Sequence, residues 1–138
     1  MRILLVDGHP LFRGGMKVLL GSLDANVALD EARDCAAADA FAGATRYDLL
    51  LLDPELPGRD GMDALAALRA AFPATPVVVV SEDDGPAAVR AAIEAGAMGF
   101  IPKSSTADVI VDALRRVLAG GVHLPTTDAA ARRGLSLV

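Results

Sequence analysis

Four polar residues follow four separate apolar runs of the chain, and their side chains are suited to phosphoryl transfer. They are Asp7, Asp53, Ser81 and Lys103. A carboxylate can attack phosphorus, an ammonium can balance the phosphoryl oxygens, and a hydroxyl can donate a hydrogen bond to one of them. Any one of these residues alone is more typical of a helix cap, a polar turn or a solvated surface. Because each of the four follows an apolar run, the pattern favours one shared site.

The elements that must position these residues are strands and helices in regular alternation. Short apolar runs predict buried parallel strands, and apolar residues three and four positions apart predict helices. The predicted strands are residues 3–6, 26–31, 48–52, 76–80 and 98–101. The predicted helices are residues 10–20, 35–43, 61–72, 86–95 and 107–119. Five such units predict a three-layer α/β sandwich whose functional crevice lies beyond the carboxyl ends of the strands.

Composition narrows the range of functions. The chain has 138 residues, a formal net charge of −5 and a single cysteine, Cys35. The acidic balance argues against nucleic-acid binding by this segment, and one cysteine excludes a disulfide framework or a cysteine-cluster zinc site. Because no apolar run is long enough to cross a membrane, we expect a cytoplasmic protein with no membrane partner. We predict one domain over residues 1–121, followed over residues 122–138 by a tail or the start of a linker.

Four segments make the chain resemble the receiver domain of two-component response regulators. The likeness is closest to the NarL/FixJ group, whose receivers precede a LuxR-type helix-turn-helix. The segments are ILLVDGHPLFR (3–13), DLLLLDPELPGRDG (48–61), GFIPKS (99–104) and LRRVLAGGVHLP (114–125). The resemblance implies a flavodoxin-like (βα)5 sandwich with a five-stranded parallel sheet in the order 2-1-3-4-5. It also implies a phosphoprotein that acts in phosphorelay signal transduction and transcription regulation.

The resemblance assigns roles to individual residues. Asp53 is similar to the phosphoacceptor of the family, Ser81 to its switch hydroxyl, and Lys103 to the lysine that pairs with the phosphoryl group. Phe100, three residues before Lys103, resembles the switch aromatic, whose burial changes on activation. If these roles apply, a charge change at one carboxylate is converted into a rearranged surface.

The magnesium site departs from the family pattern at one position. Asp7, Asp53 and the backbone carbonyl of Glu55 match metal ligands of the family, but Gly8 stands where a second acid normally binds Mg²⁺. Mg²⁺ demands near-octahedral coordination, so the missing ligand predicts impaired binding. Without a cation, two unit charges about 4 Å apart repel by on the order of 4 kcal/mol at an effective dielectric of 20. The Glu55 side chain is a candidate for the vacated place, and we expect His9 to serve in packing and loop hydrogen bonding.

Two hypotheses follow from the resemblance. In the first, Asp53 accepts a phosphoryl group from a sensor histidine kinase. The face built from the fourth helix, fifth strand and fifth helix then switches to control homodimerisation or an attached output, a LuxR-type DNA-binding domain in the parent protein. In the second, which rests on Gly8, the chain is an atypical, degenerate receiver that acts as a protein-interaction module without metal or phosphate.

We do not expect an enzyme beyond self-phosphorylation from a phosphodonor. Aspartyl phosphohydrolases usually carry a second aspartate as general acid two residues after the nucleophile, and this chain has Glu55 there. The loop after the first predicted strand also lacks the G-x-G-x-x-G pattern of a dinucleotide site. Both enzyme classes are therefore disfavoured.

Overall fold

One parallel sheet of five strands forms the middle layer of the computed structural model, which describes residues 1–56 and 60–125. The strands are β1 (Arg2–Val6), β2 (Ala28–Ala32), β3 (Leu49–Leu52), β4 (Val77–Ser81) and β5 (Gly99–Pro102). The helices are α1 (Pro10–Leu20), α2 (Cys35–Asp39), α3 (Gly61–Ala71), α4 (Pro86–Glu94) and α5 (Ala107–Leu118). The strand order is β2-β1-β3-β4-β5, so the predicted flavodoxin-like (βα)5 sandwich is confirmed.

Alternation along the central strands divides the core into two apolar layers. On β1, Leu4 and Val6 belong to the layer that packs against α2, α3 and α4. Ile3 and Leu5 belong to the layer that packs against α1 and α5. Because successive side chains of a strand point to opposite faces, a strand covered on both sides needs apolar residues at every position. This explains why the whole of β3 is a run of buried leucines.

The second helix is shorter than predicted. The alanine-rich run predicts a helix over residues 35–43, but α2 ends at Asp39. Beyond it, the amides of Phe41 and Ala42 donate to carbonyls three residues earlier, and Gly43 has a positive φ of 78°. Phe41 also makes an edge-to-face contact with Tyr47. Tertiary packing and a left-handed glycine therefore replace the helix with tight turns, which local propensity does not anticipate.

Near the end of the described residues, His123 pairs with the edge strand β5. The amide of Phe100 donates to the carbonyl of His123 over 3.0 Å, and the amide of His123 donates to Met98 over 3.2 Å. This bridge covers part of the open edge of the sheet. Residues 126–138 of the predicted tail and residues 57–59 of the loop after Asp53 lie outside the described residues, and the domain boundary at residue 121 stays a prediction. Among the described helices, none has the length and apolar character of a membrane span.

Replacing Leu51 with alanine should lower the free energy of unfolding by about 3 kcal/mol, because the side chain is fully buried in the apolar layer that packs against α1 and α5. Leu11→Ala is the matched control, since Leu11 is 91 % exposed on α1, and it should change stability by less than about 0.5 kcal/mol. Urea unfolding followed by circular dichroism measures both. Equal losses in the two variants would contradict the assignment of β3 to the centre of the core.

Candidate functional site

Three charged residues stand at the carboxyl ends of three strands and are held there by the backbone. The amides of Asp7, Asp53 and Lys103 donate to carbonyls of the neighbouring strands over 2.9, 2.9 and 2.8 Å. Each residue thereby extends the hydrogen-bond ladder of the sheet by one step. Since the carboxyl ends of parallel strands share one edge of the sheet, the three side chains meet at that edge.

Lys103 joins the two aspartates. Its Nζ lies 2.9 Å from Asp53 Oδ2 and 3.0 Å from Asp7 Oδ2. The lysine side chain is only 7 % exposed, and both carboxylates are buried. The ammonium also lies 4.3 Å from the centre of the Phe12 ring, which adds a cation–π contact. Among the described residues, no arginine and no second lysine forms an ion pair with either carboxylate, so one ammonium faces two negative charges.

The two aspartates are not equally well paired. Lys103 donates a hydrogen bond to Asp53 Oδ2 over 2.9 Å. At Asp7 Oδ2 the ammonium is within ion-pair distance but is not oriented for a hydrogen bond, so this buried oxygen has no hydrogen-bond partner. A buried carboxylate oxygen in that condition is unusual and marks a place where a further cation or donor would be favourable.

The pKa of Lys103 is raised above its ordinary value of 10.5. Burial lowers it, but the hydrogen bond to Asp53, the close contact with Asp7 and the negative charges of both aspartates together raise it by more. A lysine with a raised folded-state pKa stabilises the fold fully below its unfolded-state pKa. That stabilisation is lost as the pH rises through the higher folded-state value.

The structure brings His9 into this pocket, where sequence reasoning expected only packing and a loop hydrogen bond. Its Nδ1 lies 3.1 Å from Asp53 Oδ2, 3.2 Å from Asp7 Oδ1 and 3.1 Å from Lys103 Nζ. The side chain is 52 % exposed, so it is not packed in the core, although its amide does donate to Asp7 Oδ1 as a loop hydrogen bond. The signal in the sequence was its offset of two residues from Asp7, directly before Pro10.

The loop after β3 orients the other oxygen of Asp53. The amide of Glu55 donates to Asp53 Oδ1 over 2.9 Å. This loop lies close to the start of α3, because a Cβ on Gly61 would sit 2.6 Å from the Cβ of Pro54. Glycine at that position is therefore required for the close approach. The Glu55 side chain is exposed, and the role of its carbonyl as a metal ligand stays a prediction.

Ser81 and Phe100 lie beside the charged pocket and line a neighbouring cavity. This cavity, of about 210 Å³, is bounded by the β3–α3 loop, the end of β4 and the small side chains Ala88 and Ala91 of α4. The Ser81 hydroxyl accepts a hydrogen bond from the amide of Asp83 over 3.1 Å. Phe100 is 1 % exposed and belongs to the core layer under α4. The amide of Lys103 donates to the Ser81 carbonyl, but among the described residues no hydrogen bond joins the Ser81 hydroxyl to Asp7, Asp53 or Lys103.

Comparison with known proteins identifies this arrangement. A family model described as the response regulator receiver domain matches residues 3–115, which is well over half of the chain. The chain belongs to the response-regulator receiver domain family. The receiver is 38 % identical over 125 residues to the glycerol metabolism activator of Pseudomonas putida, covering 90 % of this chain and 57 % of that protein. It is 34 % identical over 114 residues to the nitrate/nitrite response regulator protein NarP of Escherichia coli, covering 83 % and 53 %.

Solved structures agree with the receiver assignment and with the NarL/LuxR group. A LuxR family DNA-binding response regulator from Silicibacter pomeroyi matches with a TM-score of 0.82 and 35 % identity, over 93 % of this chain and 99 % of that chain. A LuxR family two-component response regulator from Aurantimonas matches with a TM-score of 0.86 and 30 % identity, over 99 % and 98 %. The receiver spans little more than half the length of the curated relatives it matches.

The donor groups of this receiver do not match an all-oxygen magnesium site. Asp7, His9 and Asp53 offer ligand atoms that lie within 4.8 Å of one another, and they form the metal-capable group of the described residues. Mg²⁺ prefers six oxygen ligands. Gly8 supplies no carboxylate, the Glu55 side chain is not part of the group, and the third donor is the imidazole nitrogen of His9.

Replacing Lys103 with methionine should lower the free energy of unfolding by about 3 kcal/mol, because two buried carboxylates lose their ammonium. The difference in free energy of unfolding between Lys103→Met and the unmodified chain should be the same at about pH 7 and about pH 10. The reason is that the raised pKa keeps Lys103 protonated over that range. Urea unfolding in the presence of a chelator measures it. The exposed Lys17→Met variant, on α1, is the control and should change stability by less than about 0.5 kcal/mol. A deficit that disappears by about pH 10 would show that Lys103 loses its proton earlier than stated.

Proposed function

We propose that this receiver is switched by phosphorylation of Asp53, with the phosphohistidine of a partner sensor histidine kinase as donor. The observation that carries the proposal is the pairing of Asp53. One oxygen accepts from Lys103 and the other from the amide of Glu55, so the carboxylate is held in a fixed orientation at the end of β3. A buried nucleophile with a fixed ammonium beside it is the arrangement that phosphoryl transfer requires.

The transfer step is a displacement at phosphorus. A carboxylate oxygen of Asp53 forms the new O–P bond, and the P–N bond of the phosphohistidine breaks with its electron pair going to the imidazole of the kinase. Lys103 already lies 2.9 Å from Asp53, where it would balance charge on the phosphoryl oxygens. The receiver performs no turnover on a free substrate in this proposal, so it is not an enzyme beyond taking a phosphoryl group onto itself.

The proposal includes a divalent cation that binds this site weakly. When bound, such an ion would neutralise phosphoryl oxygens and reduce their repulsion from Asp7 and Asp53. Those two residues are the carboxylates available to Mg²⁺, with the Glu55 carbonyl as the further ligand that the family pattern suggests. Because Gly8 removes one carboxylate, we propose that Mg²⁺ binds here only weakly.

The proposed output is a rearrangement of the face formed by α4, β5 and α5. Ser81 ends β4 and Phe100 lies on β5, and both line the cavity beside α4. Movement of the Ser81 hydroxyl toward a phosphoryl group on Asp53 would change the space available to the Phe100 ring. We propose that this change governs homodimerisation or an attached DNA-binding domain in the cytoplasmic parent protein. Support for the latter comes from the matched relatives, because the alignment covers only 57 % and 53 % of their length.

Gly8 also supports a second candidate function. A receiver that lacks the second acid, and whose aspartates are already paired with Lys103, could act as an interaction module without phosphate. The two candidates differ in whether Asp53 can be phosphorylated, and the next experiment separates them.

Incubation with acetyl phosphate, or with a phosphorylated cognate kinase, should place one phosphoryl group on the chain. Asp53→Asn should abolish labelling, because the nucleophilic carboxylate is gone. Asp39→Asn, at an exposed position on α2, is the control and should label like the unmodified chain. Phosphate-affinity electrophoresis and mass spectrometry measure the outcome with and without Mg²⁺. Absence of labelling even with the kinase would favour the interaction module, and labelling of Asp53→Asn would refute the assigned acceptor.

Labelling of Asp53 should shift the amide resonances of α4, β5 and α5 in a nitrogen–proton correlation spectrum. Ser81→Ala should remove most of these shifts while leaving Asp53 able to be labelled, because the hydroxyl that would follow the phosphoryl group is absent. Ser22→Ala, in the exposed turn that follows α1, is the control and should retain them. If Ser81→Ala labels normally and shows the full set of shifts, the proposed coupling through Ser81 is wrong.

A further inference from the structure

We propose that the pocket around Asp7 and Asp53 binds a borderline first-row transition-metal dication, such as Co²⁺ or Zn²⁺, in preference to Mg²⁺, with the imidazole of His9 as the ligand that takes the place of the missing acid. The inference rests on the proposed function for the choice of site but does not require phosphorylation. It concerns which cation the site selects, and therefore which ion would assist or inhibit the receiver.

The His9 nitrogen lies at ion-sharing distance from one oxygen of each aspartate, and the three donor atoms lie within 4.8 Å of one another. Ligand atoms bound to a single ion at about 2.1 Å are separated by about 3 Å when they occupy adjacent positions. His9 Nδ1 lies 3.2 Å from Asp7 Oδ1 and 3.1 Å from Asp53 Oδ2. The nitrogen is thus placed next to one oxygen of each aspartate at the separation that a shared ion would impose.

The charge of the pocket also calls for a cation. Asp7 and Asp53 are buried, and Lys103 balances one of their two negative charges. Asp7 Oδ2 is buried without a hydrogen-bond partner, even though the ammonium lies 3.0 Å away. This observation is independent of the donor spacing. A dication bound through Asp7 Oδ1 and Asp53 Oδ2 would add positive charge beside two buried carboxylates that share one ammonium.

The backbone holds the donors in place before any ion arrives. Asp7 and Asp53 are fixed by hydrogen bonds to neighbouring strands. His9 is the residue before α1, and Pro10 opens that helix, so the histidine backbone is fixed by the helix start. The carbonyl of His9 accepts from the amide of Arg13 over 3.0 Å. With 52 % of its side chain exposed, His9 leaves an entry path from solvent.

The chemistry of the donor set decides between metals. Mg²⁺ is a hard ion that prefers an octahedron of oxygen ligands, whereas imidazole suits Zn²⁺, Ni²⁺, Cu²⁺ and related ions. Replacing a carboxylate at position 8 with glycine removes an oxygen ligand, while His9 adds a nitrogen. The glycine at position 8 and the imidazole of His9 both act against Mg²⁺ and in favour of a transition-metal ion.

The test uses the untagged chain and Co²⁺, whose visible absorption and paramagnetism report its ligands. Calorimetric titration should show Co²⁺ binding at least about 10-fold tighter than Mg²⁺. His9→Gln should weaken Co²⁺ binding by about 10-fold or more, as loss of a ligand does, and change Mg²⁺ binding by less than about 3-fold. Gly8→Asp should strengthen Mg²⁺ binding. A strongly shifted imidazole N–H resonance should appear with Co²⁺ and be absent from His9→Gln.

His123→Gln is the matched control, because the chain contains only these two histidines and His123 lies on the edge of β5. It should keep both the Co²⁺ affinity and the shifted resonance. The inference is overturned if His9→Gln binds Co²⁺ within about twofold of the unmodified chain, if Mg²⁺ binds as tightly as Co²⁺, or if neither ion binds. Labelling of Asp53 is measured separately, so a receiver that accepts phosphate but shows no histidine-dependent metal binding would refute this inference alone.

Discussion

Two carboxylates buried side by side impose the main energetic demand on this domain. Asp7 and Asp53 follow β1 and β3, two strands paired in register, and neither is open to solvent. Like charges held this close in a poorly hydrated site repel strongly, and a buried carboxylate also loses its hydration. The ammonium of Lys103 offsets this repulsion. Lys103 directly follows β5, which is separated from β1 by two intervening strands. The sheet must therefore be complete before the charges are compensated.

Lys103 neutralises only part of the negative charge of the two aspartates at this edge of the sheet. The remaining negative charge is what suits the site to signalling. One ammonium faces two carboxylates, and Asp7 Oδ2 has no hydrogen bond. A pocket that keeps residual negative charge attracts cations and responds strongly when the charge on Asp53 changes. In the proposed mechanism that response passes to Ser81 and Phe100, which share the adjacent cavity. The site is thus placed between a rigid sheet and a helix, α4, that contributes only small side chains to the cavity.

His9 completes the pocket that Gly8 leaves with one carboxylate fewer. Glycine at position 8 would by itself only remove a ligand. Here the neighbouring imidazole lies about as close to both aspartates as Lys103 does. The pocket is therefore a mixed nitrogen and oxygen site, and the two hypotheses for its function differ in whether Asp53 within it accepts a phosphoryl group.

Much of the architecture could be predicted from the sequence because it depends on periodicity. The uninterrupted apolar run of β3 indicated a strand covered on both faces, and the alternation of strand and helix indicated the parallel sheet. The end of α2 at Asp39 could not be predicted, since the alanine-rich segment has helical propensity as far as Gly43. Just beyond that boundary Phe41 packs against Tyr47, a contact between residues that local propensity treats separately.

The amino-acid pattern alone established the fold class, the positions of Asp7, Asp53, Ser81 and Lys103 at strand ends, and the absence of a second acid at position 8. These features follow from residue type and spacing along one dimension. The tertiary structure alone decided that His9 turns toward the aspartates and that Lys103 reaches both of them. Those contacts depend on distances of about 3 Å between atoms from β1, β3 and β5, and such distances exist only after the sheet has assembled and its strand ends have met.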